Sequence, residues 1–298
     1  MHWLIATDLD GTLLDDDYDL PAAAAAIDRQ SARGHYIVLA SSKTFVEMRE
    51  LAALCSPSPV LVFENGAGIA WPEQLSRPGD GGSIQSGFRI QLQGEGYQRL
   101  RALIRGFRRR SGLRFVGFAD MSPREVAALT GLSEAAAARA QQRQATEPVR
   151  WLDTAEALAA FGRALDAKGY RLVEGGRFHH VMPRADKACA VASVARRLAE
   201  LLSARVRVLG CGDSANDLAM LRSADVAVIF PRPDGRILDL DLEAPPEVTD
   251  REAAADMPAP RIFHAKAPGA GPWSLAVDDA LGRVGGAPAR HASGAQTP

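Results

Sequence analysis

Three short apolar runs alternate with two helix-like stretches in the first 63 residues, and this alternation limits the fold more than any other feature of the chain. Trp3-Leu4-Ile5-Ala6-Thr7, Tyr36-Ile37-Val38-Leu39-Ala40 and Val60-Leu61-Val62-Phe63 are unbroken hydrophobic segments of strand length. Between the first two, Pro21 to Arg33 is rich in alanine, with Pro at its start and Gly34 at its end, the usual asymmetry of helix start and stop. A second helix is expected from Ser41-Ser42-Lys43-Thr44 through Leu54. Strands buried on both faces read as continuous apolar runs, and strands separated by helices pair in parallel. The expected fold class is therefore α/β, a doubly wound parallel sheet.

Open sheets of this kind bind ligands outside the carboxyl ends of their strands. The first strand runs there into Asp8-Leu9-Asp10-Gly11-Thr12-Leu13-Leu14, two carboxylates two residues apart followed by a glycine that permits a sharp turn. A buried strand from Val206 to Gly210 leads likewise into Gly212-Asp213-Ser214-Ala215-Asn216-Asp217, which opens a helix. Oxygen ligands beside a phosphate favour Mg²⁺, which takes one or two protein carboxylates and keeps several waters. Asp8 and Asp213 are the expected direct ligands, the Asp10 carbonyl is a third, and Asp217 is either a ligand or a support for one. An ionised Asp8 can attack phosphorus, and Asp10 can protonate the leaving oxygen and later deprotonate a water. Ser41 can donate to a phosphoryl oxygen, and Lys187 can neutralise the transferred group.

The pattern changes near Pro72 to Gly82, a Pro/Gly/Ser-rich stretch expected as a loop or hairpin. An α+β insert follows, with helices near Gly96 to Ser111, at Ser122-Pro123, at Ser133 and from Thr154 to Lys168. A strand is expected from Leu113 to Phe118, and two more flank Gly175-Gly176. A helix from Lys187 to Leu202 and strands at Val206 and Asp225 then return to the first sheet. The expected division is a discontinuous core of residues 1–82 and 185–284, a cap of residues 83–184 and a disordered tail of residues 285–298.

The net charge of −1 argues against a nucleic-acid binder driven by bulk electrostatics, and the basic residues between Arg99 and Arg110 read as a solvated helix face. Cys55, Cys189 and Cys211 are widely spaced and odd in number, which indicates neither a disulfide framework nor a zinc site. No run approaches the roughly twenty apolar residues of a membrane span. A cytoplasmic protein acting on a small molecule is expected.

The string Asp8-Leu9-Asp10-Gly11-Thr12 resembles the first motif of the haloacid dehalogenase-like phosphohydrolases, and Lys187 and the segment around Asp213 resemble their later motifs. Ser41-Ser42-Lys43-Thr44 is similar to the mannosyl-3-phosphoglycerate phosphatase family, where general sugar phosphatases tend to carry Thr-Gly-Arg. Further similarities lie at Phe63-Glu64-Asn65-Gly66-Ala67, Thr130-Gly131-Leu132-Ser133, Glu147-Pro148, Gly175-Gly176-Arg177-Phe178-His179-His180, Asp186-Lys187 and Gly271-Pro272-Trp273. The resemblance implies a Rossmann-like core with an inserted cap, and release of phosphate from a glycosylated 3-phosphoglycerate. It also implies substrate contacts from Lys43, Asn65, Arg177, His180 and Asn216, with Arg177 offering a bidentate fork to the glycerate carboxylate. Gln144, Ala145 and His179 depart from the family pattern within the cap, which leaves mannose and glucose both open as the sugar. A broader sugar-phosphate phosphatase, a phosphomutase and a sugar-phosphate sensor share enough of the pattern to stand as alternatives.

Overall fold

The computed structural model describes residues 2–77, 79–175, 178–240 and 259–285. In chain order the strands are β1 (His2–Thr7), β2 (Tyr36–Ala40), β3 (Val60–Phe63), β4 (Gly68–Pro72), β5 (Ser83–Gln85), β6 (Phe88–Leu92), β7 (Phe115–Gly117), β8 (Glu147–Trp151), β9 (Tyr170–Gly175), β10 (Phe178–Pro183), β11 (Val206–Gly212), β12 (Val226–Ile229) and β13 (Arg261–His264). The α-helices are α1 (Leu20–Ala32), α2 (Phe45–Ala52), α3 (Tyr97–Ser111), α4 (Pro123–Thr130), α5 (Glu134–Ala140), α6 (Ala155–Asp166), α7 (Lys187–Leu202), α8 (Leu218–Arg222) and α9 (Ala270–Arg283). None of them is long and apolar enough to cross a membrane. The described residues divide into two compact units, one drawn from 2–40, 51–60, 187–240 and 259–285, the other from 41–50, 61–77, 79–175 and 178–186.

The first unit is built on five parallel strands in the order β13-β12-β11-β1-β2. Leu4, Ile5 and Ala6 of β1 are fully buried, as are Val226, Ala227 and Val228 of β12, which explains why these strands read as unbroken apolar runs. Thr7 pairs with Cys211, so β1 and β11 end in step and the residues that follow them emerge side by side. Helix α1 starts where expected: the Asp19 carboxylate accepts from the Ala22 amide at 2.9 Å, and Pro21 lies in the first turn. Its small buried face of Ala23, Ala24, Ala26 and Ile27 is complemented by polar ties to α9, where Arg29 donates to Ser274 and Gln30 to Asp278, each at 2.8 Å.

In the second unit β3, β4, β6 and β5 pair antiparallel in that order, with β5 at the edge. The strand β4 was not expected. Asn65 and Gly66 take φ values of 57° and 90°, which reverses the chain within Glu64–Gly66 and lets Gly68-Ile69-Ala70-Trp71 pair back on β3. The stretch from Pro72 to Gly82 thus joins β4 to the edge strand β5 of one sheet. The other sheet is antiparallel in the order β7-β8-β10-β9, with a core of Leu100, Ile104, Phe115, Val149, Phe161 and Leu165 drawn from strands and from α3 and α6. Phe115, Trp151 and Phe161 stack with centroids 5.5–5.7 Å apart. The two strands expected to flank Gly175-Gly176 are β9 and β10, which pair antiparallel. Strand β8 escaped the pattern because it opens with Glu147-Pro148, a charge and an imino acid that normally disfavour a strand. Helix α2 begins at Phe45, leaving Ser41 to Thr44 as a loop. Most of the expected tail, residues 286–298, lies outside the described residues.

Candidate active site

The paired strand ends of the first unit bring Asp8, Asp213 and Asp217 together, each with a carboxylate oxygen within 4.8 Å of the others. The Asp8 amide donates to the Cys211 carbonyl at 2.9 Å, one residue beyond the last β1–β11 pair, which fixes how far Asp8 projects. Two glycines permit the crowding. A Cβ on Gly11, where φ is +75°, would stand 3.1 Å from the Asp213 carboxylate, and a Cβ on Gly212 would stand 2.6 Å from the Asp217 side chain.

Lys187, 1% exposed at the start of α7, lies between two of these acids. Its Nζ donates to Asp8 Oδ1 and to Asp217 Oδ1, both at 2.6 Å. The other oxygen of Asp217 accepts from the amides of Asp213 and Ser214, at 3.2 and 3.1 Å, and from the Ser214 hydroxyl at 3.1 Å. Both oxygens of Asp217 are therefore engaged in holding Lys187 and the Asp213 loop. Arg232 approaches Asp213 from its partly exposed side, with Nε 3.9 Å from Oδ2.

One buried cation among three buried carboxylates leaves the cluster negative. Burial pushes the Asp8 carboxyl up to about 8, with the Asp217 charge adding to the rise and Lys187 opposing it. Burial and then Asp217 push Asp213 up to about 6, against Arg232 and Lys187. Burial alone would lower the Lys187 pKa, but Asp217 and Asp8 outweigh it and hold the amine charged. A divalent cation is the ligand such a set of oxygen donors suits, since it relieves the repulsion among them.

Asp10 differs from Asp8 in being exposed, and the Tyr18 hydroxyl donates to its carboxylate. Asn216, also exposed, accepts from the Ser214 hydroxyl at 2.5 Å. Ser41, Lys43, Asn65 and His180 belong to the second unit. The Ser41 amide donates to the Val62 carbonyl at 2.9 Å, the Asn65 amide to the Ser41 carbonyl at 2.9 Å and the Glu64 amide to the Lys43 carbonyl at 2.8 Å. The loop after β2 and the turn after β3 are thus one hydrogen-bonded piece. His180 sits on β10 with its ring against Gly175, where a Cβ would lie 2.8 Å from the ring, and burial drives its pKa down to about 3, so the imidazole is neutral. Arg177 lies outside the described residues.

Sequence reasoning missed the centre of this second network. Glu64 is fully buried, and its carboxylate accepts from the amides of Gln144, Ala145 and Thr146 at 2.7, 3.1 and 2.7 Å and from the Thr146 hydroxyl at 2.7 Å. Arg143 lies 3.5 Å from it and donates to Thr146 Oγ1 at 2.6 Å and to the Ser42 carbonyl at 3.3 Å. The available signal was a glutamate set between an apolar strand and a turn, where burial demands a dedicated set of donors.

A sequence model described as haloacid dehalogenase-like hydrolase matches residues 5–76. The glucosyl-3-phosphoglycerate/mannosyl-3-phosphoglycerate phosphatase of Methanococcoides burtonii is 29% identical over 294 residues, covering 95% of this chain and 98% of its own. The protein of the same name from Persephonella marina is 27% identical over 276 residues, covering 92% and 95%. A haloacid dehalogenase-like hydrolase from Bacteroides thetaiotaomicron shares the fold, with a TM-score of 0.55 at 17% identity over 96% of this chain and all of that one. The carboxylate cluster at the ends of β1 and β11 lies on the very segments that carry the first and last sequence motifs, and the chain is similar there and in fold to the haloacid dehalogenase-like hydrolases.

Proposed function

We propose that the protein is a phosphatase of glycosyl-3-phosphoglycerates, mannosyl or glucosyl, acting through an aspartyl-phosphate on Asp8. The observation that carries this reading is the buried chain Asp8–Lys187–Asp217 beside Asp213. A sensor of the same ligand would have no use for so costly an arrangement, because several kcal/mol are spent on burying each charge.

Lys187 aims and steadies one oxygen of Asp8, which leaves the other to attack phosphorus as the bond to the leaving alkoxide breaks. Asp10, on the exposed side and in contact with the Tyr18 hydroxyl, gives the alkoxide its proton. It then takes a proton from the water that attacks the same phosphorus, and the cleaved acyl phosphate releases Asp8 and inorganic phosphate. The different settings of the two carboxylates, one buried on a lysine and one exposed, suit these different tasks. Asp8 and Asp213, with the Asp10 carbonyl, are the proposed holders of Mg²⁺, and Asp217 orients them. When bound, that ion supplies charge neutralisation for the phosphoryl oxygens.

Ser41 is proposed to donate to the phosphoryl group, and Lys43, Asn65, His180 and Asn216 to contact the remainder of the substrate. We assign residues 83–184 to the cap that reads the sugar, a role supported by the similarity along nearly the whole chain to the two phosphatases that bear these substrates in their names. The test is phosphate release with Mg²⁺ from mannosyl-3-phosphoglycerate, glucosyl-3-phosphoglycerate, mannose 6-phosphate and 3-phosphoglycerate, compared by kcat/KM. A preference of at least about 100-fold, some 2.7 kcal/mol of differential recognition, is expected for one or both glycosylated esters. Equal efficiency on all four would replace this reading with a broad sugar-phosphate phosphatase, and sugar-phosphate isomers without free phosphate would indicate a mutase.

A further inference from the structure

Gly271-Pro272-Trp273 is left unused by the chemistry above, yet it reaches the back of the nucleophile strand. Trp273, in the first turn of α9, is among the largest fully buried side chains of the protein, and its indole Nε1–H donates to Thr7 Oγ1 at 2.9 Å. Thr7 is itself fully buried, and its hydroxyl donates to the Asp8 carbonyl at 2.8 Å. An indole N–H only donates, so its arrival at Oγ1 turns the single hydroxyl proton away toward the Asp8 carbonyl, with the buried Cys211 thiol also within hydrogen-bond reach of both side chains. The opposite side of the same residue is held by the Asp8 amide on Cys211. The start of α9 also grips the rest of the loop. The Gly269 amide donates to the Thr12 carbonyl at 3.0 Å, and with φ at +103° a Cβ on Gly269 would lie 2.4 Å from the Asp15 carboxylate.

We infer that Trp273 and Thr7 are positioning residues, a two-bond relay that sets the backbone of Asp8 and so the direction from which its carboxylate attacks. Packing alone does not account for a tryptophan here, because a phenylalanine would fill much of the same space without the donor. Small displacements of a reacting group reduce rates steeply, and a relay to the nucleophile's own carbonyl acts on that displacement directly. The inference rests on the reading of Asp8 as nucleophile.

The experiment is a double-mutant cycle of Thr7→Val and Trp273→Phe, with Thr7→Ser as the conservative variant and Asp8→Asn as the control, each kept well below its melting temperature. Each of the first two is expected to lower kcat about tenfold with KM changed less than about twofold, and the pair to lose no more than the worse single variant. Thr7→Ser, which keeps the hydroxyl, is expected to stay within about twofold of the parent. A wild-type kcat in folded Trp273→Phe, or losses that simply multiply in the pair, would overturn the relay. Should Thr7→Val fail to fold, Trp273→Phe and Thr7→Ser decide the matter. Turnover retained in Asp8→Asn would instead remove the nucleophile reading beneath it.

Discussion

Replacing Asp213 by Asn is expected to stabilise the protein in the absence of divalent ions. The folded state holds this carboxyl at about 6 rather than the usual 3.8, chiefly through burial and the Asp217 charge. An acid whose folded pKa is raised binds more protons folded than unfolded between those two values, so stability falls as pH rises through that window. At pH 7 the full difference applies, about 3 kcal/mol at 1.36 kcal/mol per pKa unit. That difference is already net of the attraction from Arg232, whose pair with Asp213 is long at 3.9 Å and partly exposed. The expected net gain is about 3 kcal/mol, which for a chain of this size raises the melting temperature by about 5 °C.

The assay is urea or thermal unfolding in EDTA at pH 7 and again near pH 4, followed by the same pair with Mg²⁺. Near pH 4 the parent's Asp213 is protonated when folded and about half protonated when unfolded, so the difference should shrink to about 0.5 kcal/mol. Mg²⁺ should nearly close the gap at pH 7 at about a hundred times its dissociation constant, where it stabilises the parent by about 2.7 kcal/mol, and reverse the order at about a thousand times, where it supplies about 4.1 kcal/mol, the variant gaining much less. An Asp213→Asn variant that is less stable than the parent at pH 7 in EDTA, or a gap that persists undiminished at pH 4, would refute the argument that Asp213 is held under electrostatic strain.

Two further predictions concern the buried networks. Lys187→Met should remove turnover and cost about 3–5 kcal/mol in EDTA, because Asp8 and Asp217 lose the cation 2.6 Å from each of them, and added Mg²⁺ should recover part of that loss; an unchanged urea midpoint would contradict it. Glu64→Ala should cost more than about 3 kcal/mol, since three amides and a hydroxyl lose their acceptor, with Glu64→Gln intermediate, and hydrogen exchange at the amides of residues 144–146 should rise sharply; preserved protection there would sink the role assigned to Glu64.

Those residues also show how far the chain could be read from its order alone. Strands β1, β2, β3, β11 and β12 were legible because strands buried on both faces leave an unbroken apolar run. The acids that follow β1 and β11 were legible as a site because parallel strands end on one side. The helix α7 was legible throughout its length. Strands β4 and β8 were not, for opposite reasons: β4 depends on a turn in which two non-glycine residues, Glu64 and Asn65, take positive φ, and β8 carries Glu147 and Pro148. Glu147 tolerates its burial because Tyr97 donates to it at 2.5 Å and the Ala119 amide at 3.0 Å, partners 50 and 28 residues away.

What stayed hidden in the site has the same cause. The four-residue spacing of Asp213 and Asp217 says that both acids share a loop, yet not that one is consumed in holding it. That distinction lies in which donors reach each oxygen: Lys187 from a helix that begins 30 residues earlier, and amides whose direction is set by Gly212 accepting close contact with Asp217. Likewise Thr7, the residue before Asp8, has no meaning until a tryptophan 266 residues later donates to it. Local pattern therefore identifies the acids that come together, because strand ends collect them. The groups that aim them are chosen by contacts remote in sequence, and the tasks of Asp217, Thr7 and Trp273 are recognisable only once the fold has supplied their partners.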